Sequence, residues 1–200
     1  MSMRAARAMG ILGLVALAAC GGVRPYGWRE RDARSERKPV AQVDDRQLTE
    51  RVRSALADSD LTGAEVTPHV YMGHVFLVGF VDHSDQQGEA TRAVQDVEGV
   101  RSVGAYLPVR PNDPKTVSNV AGDAVIEGKV KAALLLAGRP VTRIDTQVLN
   151  GHVVLLGVVK SQEAVSAATA AARGVSGVTG VTSFLLLPEP GYETLRPDLG

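Results

Sequence analysis

Apolar residues recur with the same sequence of periods in two segments of the chain. In each segment a helical spacing of i, i+4, i+7 and i+8 comes first, and two alternating runs typical of strands follow. A second helical stripe and a third strand complete the segment. The order predicted twice is helix, strand, strand, helix, strand. The stripe of the first helix consists of Leu48, Val52, Ala55 and Leu56 in one segment, and of Ile126, Val130, Ala133 and Leu134 in the other.

The strands and the second helix are bounded by local signals. Strand patterns cover 66–70, 75–81 and 100–109 in the first segment, and 144–148, 153–159 and 178–187 in the second. Asn150-Gly151 predicts a tight hairpin turn. Ser84-Asp85-Gln86-Gln87 matches a helix capping box, and Ser161 is expected to cap the second copy. Gly99 and Gly177 predict where the second helix stops.

The two segments are an internal duplication. Residues 45–109 and 123–187 align at an offset of 78 without a gap, and 19 of 65 aligned positions are identical. A repeat of this length indicates two small modules in place of one large enzyme domain. We call them repeat one and repeat two.

The amino-terminal residues 1–19 have the character of a secretory signal. Two arginines precede an apolar run over 9–19, and its 11 residues are too few for a bilayer-spanning helix, which needs about 20. Leu17-Ala18-Ala19-Cys20 resembles a bacterial lipoprotein lipobox, which implies cleavage before Cys20 and its acylation. By the same resemblance, Gly21 in place of an inner-membrane-retaining aspartate implies an anchor in the periplasmic leaflet of the outer membrane.

The remaining segments lack an apolar period. Residues 20–44 are expected to be the lipidated cysteine and a flexible tether, 110–122 a linker, and 188–200 a disordered tail. The formal net charge is zero, which argues against nucleic-acid binding. The repeats nevertheless differ in sign, because repeat one has 5 basic and 10 acidic residues and repeat two has 6 basic and 4 acidic.

The motifs of each repeat resemble those of the BON domain. They are Gly73-His74-Val75, Gly79 and the 97–103 segment in repeat one, with Gly151-His152-Val153, Gly157 and 175–181 in repeat two. Two copies behind a lipobox resemble the dual-BON outer-membrane lipoproteins of the DolP (YraP) type and, more loosely, OsmY-type periplasmic proteins. The resemblance implies an α+β fold, with two helices on a mixed three-stranded sheet in each repeat. It also implies a role in outer-membrane integrity, often through anionic phospholipid.

The first helix of repeat two has lost the polar cover of its outer face. Gln47, Ser54, Ala57 and Asp58 of repeat one become Val125, Ala132, Leu135 and Leu136. An apolar helix face edged by cations suits an anionic membrane interface. The predicted phospholipid-binding residues are Val125, Lys129, Lys131, Ala132, Leu135, Leu136, Arg139 and Arg143. The alternative is that this face packs on repeat one.

The second strand of repeat two bears on these alternatives. Residues 153–159 are apolar at both odd and even positions, so both sheet faces need cover, and helices can cover only one. We therefore hypothesise that the back of the sheet meets repeat one, which leaves the helix for lipid.

No catalytic or metal-binding pattern is visible. No two of the four histidines, His69, His74, His83 and His152, have the i, i+4 spacing of a helical metal site, and no serine lies in a Gly-x-Ser-x-Gly motif. His74 and His152 share one hairpin position, which favours a structural or surface role. We expect a non-enzymatic, lipid-anchored periplasmic protein with no cofactor beyond the lipid on Cys20. Its partners are expected to be anionic phospholipids, and the alternative is an adaptor or chaperone for envelope proteins.

Overall fold

A computed structural model describes residues 29–30, 44–111, 120–138 and 144–189. The predicted signal peptide, Cys20, most of the tether, Arg139, Arg143 and the tail from residue 190 lie outside the described residues. For residues 29–30 only the backbone is described.

Both repeats have the predicted order of elements. Repeat one contains α1 (Asp45–Ala57), β2 (Glu65–Tyr71), β3 (His74–Phe80), α2 (Asp85–Gln95) and β4 (Ser102–Tyr106), preceded by a short β1 (Arg29–Glu30). Repeat two contains α3 (Val120–Leu136), β5 (Ile144–Leu149), β6 (His152–Val158), α4 (Gln162–Arg173) and β7 (Gly180–Leu186). The α+β fold predicted from the sequence is thus confirmed.

The two sheets share one topology. β2 and β3 form an antiparallel hairpin, and β4 returns through α2 to pair parallel with β3. β5, β6 and β7 repeat this arrangement. In repeat one β1 adds an antiparallel fourth strand on β4, so the sheet order is β1-β4-β3-β2. Pro68 lies in β2, an edge strand, where its missing N–H removes no bond from the ladder.

The helices of each repeat cover one face of its own sheet. Leu48, Val52 and Leu56 of α1 pack with Val75 and Leu77 of β3 in the core of repeat one. The core of repeat two is built in the same way from the equivalent positions, with Val130, Leu134, Val153 and Leu155 among its buried members. The i, i+4 stripe of each first helix is therefore its inner face, as its spacing predicts.

The opposite faces of the two sheets pack against each other. Phe76 and Val78 of β3 form one buried cluster with Val154 and Leu156 of β6 and Phe184 of β7. The rings of Phe76 and Phe184 stack with centroids 4.8 Å apart. Four layers result, helices, sheet, sheet, helices, as the hypothesis about the back faces requires.

Two boundary predictions, for the third strands and for the ends of the second helices, need correction. The third strands are shorter than 100–109 and 178–187, because Val100 and Val178 still belong to the turn that follows the helix. α2 and α4 end at Gln95 and Arg173, before the positive-φ glycines Gly99 and Gly177.

The capping prediction holds only in repeat two. Ser161 caps α4 by accepting from the Ala164 N–H at 3.2 Å, whereas Ser84 makes no capping bond. In repeat one the side-chain carbonyl of Gln86 accepts instead from the N–H groups of Asp82 and His83, at 2.9 and 3.2 Å. Ser84 already has helical φ and ψ (−58° and −32°), which differs from the extended geometry of a capping residue.

Candidate functional site

The first helix of repeat two is held in place at both its start and its inner face. Val130 and Leu134 are fully buried against the sheet. Near the start of α3, the Asp123 carboxylate accepts from the N–H groups of Asn150 and Gly151, each at 2.8 Å. Asp45 makes the same two bonds to the other hairpin, at 2.8 and 2.9 Å. Each first helix is therefore tied to the turn of its own hairpin.

The geometry of the hairpin turn explains why one aspartate can accept both hydrogen bonds. Asn150 and Gly151 both have positive φ, 52° and 77°, as a type I′ turn requires. Such a turn points two consecutive N–H groups outward, and a carboxylate can accept both. The sequence showed the aspartates near the helix starts but gave no signal of their distant partners.

The outer face of α3 is apolar and exposed. Val125, Leu135 and Leu136 are 58%, 62% and 89% exposed, and Ala132 is exposed between them. On α1 the equivalent face carries Gln47, Ser54, Ala57 and Asp58, which are also exposed. The two repeats therefore present helix faces of opposite character on the two outer layers of the molecule.

Two of the four predicted cations, Lys129 and Lys131, lie within the described residues. Lys129 is exposed on the apolar face, and its Nζ lies 3.4 Å from Oγ of Ser176. Lys131 forms an ion pair with Glu127, one turn earlier in the helix, and this hydrogen bond raises the pKa of Lys131. Arg139 and Arg143 lie outside the described residues. Of these two lysines, Lys131 pairs with a carboxylate, whereas Lys129 forms no ion pair within the described part of the chain.

Among the described residues, α3 does not pack on repeat one, which was the alternative interpretation of its apolar face. The repeats meet through their sheets, and the side chains of Val125 and Leu136 are exposed. The cover that the back of each sheet needs is supplied by the other repeat. The apolar face of α3 has no such cover within the described residues.

Polar contacts border the inter-repeat interface. His69 Nδ1 lies 3.3 Å from Asp145 Oδ2, and this hydrogen bond holds the pKa of Asp145 below its usual value. Beyond repeat two, Glu189 returns to repeat one and pairs with Arg101 at 2.9 Å. The partners in these two pairs are 76 and 88 residues apart, so the sequence pattern gave no sign of them.

The two hairpin histidines, His74 and His152, are held by hydrogen bonds to hydroxyl side chains of the neighbouring strand. His74 Nδ1 lies 2.6 Å from Ser102 Oγ, and His152 Nε2 lies 2.9 Å from Thr182 Oγ1. The His152 ring also stacks on Tyr106 of repeat one, with centroids 4.2 Å apart. Burial lowers the pKa of both histidines, and Arg101 adds to the effect at His74. Both histidines are therefore biased towards their neutral forms.

The described residues offer little for a metal site, a binding groove or a membrane-spanning helix. Among them no group of three or more His, Cys, Asp or Glu side chains could hold a metal ion. A groove of about 420 Å³ lies between the end of α1 and the start of β2, and it is lined mainly by apolar and hydroxyl side chains with one cation, Arg53. None of the described helices has both the length and the hydrophobicity needed to span a bilayer.

Comparison with known proteins identifies the repeats. The family model of the BON domain matches residues 44–111 and again residues 122–187. Osmotically-inducible protein Y of Escherichia coli (strain K12) is 34% identical over 122 residues, which are 60% of this chain and 61% of that protein. The chain thus aligns with less than two thirds of the length of this relative.

Two solved structures of CdsD, a structural protein of the type III secretion system of Chlamydia trachomatis, are also similar. They are 12% and 14% identical, cover 76% and 74% of this chain and 98% and 100% of their own, and superpose with a TM-score of 0.31 in each case. With so low a score they carry no inference about this protein. The family match, by contrast, falls on both repeats and spans most of the chain, so this protein belongs to the BON-domain family and carries two such domains in tandem.

Proposed function

We propose that this protein is a lipid-anchored component of the bacterial envelope whose second BON domain binds anionic phospholipid and thereby supports outer-membrane integrity. The observation that carries the proposal is the outer side of α3, where Val125, Leu135, Leu136 and the cation Lys129 are all exposed. A soluble protein rarely leaves such a face uncovered unless a membrane or a partner covers it. The relative Osmotically-inducible protein Y supports the placement in the envelope.

The expected strength of this contact suits a protein that is already anchored. Burial of one leucine side chain in the acyl region contributes about 2 kcal/mol, and one cation near an anionic surface contributes about 1 kcal/mol. A few such contributions give weak binding from free solution. Acylation of Cys20 would hold the helix at the membrane, where a high effective concentration makes weak contacts sufficient.

The test is co-sedimentation of residues 21–200, which include every described residue, with anionic and neutral vesicles. We expect wild-type protein to bind vesicles that contain phosphatidylglycerol, and to bind neutral phosphatidylcholine vesicles more weakly. The double variant Val125→Asp, Leu135→Asp should lose this binding, because two carboxylates cannot enter the acyl region without a large desolvation cost.

A matched control is available on repeat one. Gln47→Asp and Ala57→Asp alter the equivalent positions of α1 and add the same two charges. This control should bind anionic vesicles nearly as well as wild type does, since α1 lies on the opposite outer layer. Equal loss in both variants would reject α3 as the lipid site, and no binding by wild type would favour the adaptor or chaperone interpretation.

A further inference from the structure

The turn that joins α4 to β7 packs beside the lipid-facing helix. Lys129 Nζ lies 3.4 Å from Ser176 Oγ in this turn, and the side chain of Ile126 closes the space next to Gly177, 3.2 Å from where a Cβ would stand. Repeat one has the same arrangement, with Arg51 and Leu48 beside Gly99. The corner between first helix and turn is therefore a repeated element of the fold.

The charge of this corner differs between the repeats. Repeat one places Glu98 in the turn, at the position that Ser176 occupies in repeat two. Both repeats have a cation at the helix position, Arg51 in one and Lys129 in the other. Repeat two thus keeps the cation and replaces the neighbouring acid by a hydroxyl, and within the described residues no carboxylate forms an ion pair with Lys129.

The corner of repeat two offers several hydrogen-bond donors to an anion. They are the Lys129 ammonium, the Ser176 hydroxyl and the backbone N–H groups of Ser176 and Gly177, which donate to no backbone carbonyl among the described residues. Gly177 has a φ of 95°, and successive N–H groups around such a residue form anion-binding concavities. Ammonium and hydroxyl donors suit the two free oxygens of a phosphodiester.

The position of the corner relates these donors to the membrane. Val125 lies one turn before Lys129, and Ala132 and Leu136 lie one and two turns after it on the same face. With this face in the acyl region, the Lys129 side chain extends sideways and brings its ammonium to Ser176 at the rim. The donors then lie where lipid phosphates lie.

We infer that Lys129 and Ser176 bind the phosphate of an anionic phospholipid while the apolar face of α3 contacts its acyl chains. This inference rests on the proposed function and adds the residues that select the headgroup. Glu98 makes the equivalent corner of repeat one unsuitable for an anion.

The test introduces into repeat two the glutamate that repeat one has at the equivalent position. Ser176→Glu should weaken binding of residues 21–200 to phosphatidylglycerol vesicles about fivefold, because an added acid offsets one interfacial cation. Ser54→Glu adds the same charge to exposed α1 and should change binding by about twofold or less, since distant charges are screened. Equal effects of the two variants would overturn the inference.

A second pair of variants guards against misfolding. If Ser176→Glu unfolds, Ser176→Lys should strengthen binding about fivefold, whereas Ser54→Lys should change it by about twofold or less. Should Val125→Asp, Leu135→Asp abolish binding while both Ser176 variants behave as their controls do, the headgroup site is wrong and the proposed function stands. Absence of wild-type binding would overturn both.

Free phosphate is distinguished from lipid by amide chemical shifts. The Ser176 and Gly177 amide resonances should shift on titration with soluble dihexanoyl phosphatidylglycerol and remain unchanged with inorganic phosphate at equal concentration. Equal shifts with both would show a site for free phosphate and overturn the assignment to lipid.

Discussion

Single carboxylates fix the orientation of each first helix at the residue scale. Asp45 and Asp123 each accept two backbone N–H bonds from a hairpin more than 25 residues away. These bonds connect the helix that carries the candidate site to the turn between two strands. Because the acceptor is charged, each bond contributes more than a neutral hydrogen bond does.

Asp123→Ala should lower the free energy of unfolding by about 2–3 kcal/mol, because two turn N–H groups lose a charged acceptor. Asp123→Asn should lose about half as much, since an amide keeps only one acceptor oxygen. Urea denaturation measures both values. Glu127→Ala provides the control in the same helix, because it removes only the ion pair with Lys131 and should cost about 0.5 kcal/mol. Equal losses for Asp123→Ala and Glu127→Ala would contradict this role.

The two first helices differ as whole elements in the character of their outer faces. α1 is amphipathic, with Leu48, Val52 and Leu56 inside and polar residues outside. α3 keeps the inner stripe and adds apolar residues outside, so it is apolar nearly all round. A helix of this kind is normally buried. Here its outer face is exposed, which motivates the proposed membrane contact.

Two leucines of α3 that lie two positions apart, Leu134 and Leu136, should respond very differently to truncation. Leu134→Ala should cost about 2–5 kcal/mol of unfolding free energy, because it leaves a cavity at a fully buried position. Leu136→Ala should change stability by less than about 0.5 kcal/mol, because that side chain is 89% exposed. Urea denaturation of both variants without lipid tests this. A large loss for Leu136→Ala would mean that a partner surface covers α3 in solution.

At the scale of the whole molecule the sheets hold the repeats together and the helices face outward. Phe76, Val78, Val154, Leu156 and Phe184 form the shared cluster. Acidic repeat one and basic repeat two therefore lie on opposite sides of the interface. At an anionic surface this separation of charge favours the orientation in which repeat two faces the membrane.

Phe184→Ala should lower the free energy of unfolding by about 3–5 kcal/mol, because it removes the ring stacked on Phe76 at the centre of the shared cluster. We also expect unfolding to become less cooperative, since each repeat keeps its own core. Tryptic digestion and urea denaturation together report both effects. The control is Leu187→Ala, three residues further on and 44% exposed, which should be nearly silent. A loss below about 1 kcal/mol for Phe184→Ala would contradict the face-to-face packing.

The duplication, the order of the elements, the inner stripe of each helix and the BON family can all be read from the amino-acid sequence. These are properties of period and local residue type: a repeat at an offset of 78, Leu48 or Val130 at helical spacing, and Asn150-Gly151 at a type I′ turn. The sequence also showed that residues 153–159 are apolar on both faces, which required a second cover for the sheet. The packing of the two repeats in three dimensions shows that each sheet covers the other and that the outer face of α3 stays exposed.

The tertiary structure alone also paired residues that are distant in sequence. Asp123 with the hairpin, Glu189 with Arg101 and Lys129 with Ser176 join positions 27 to 88 residues apart. The spacing of apolar residues shows which side of a helix or strand faces the core, because burial of a side chain depends on many neighbours together and not on one partner. It carries no information on which polar atom meets which, because such a bond depends on how sheets, turns and helices are placed in three dimensions.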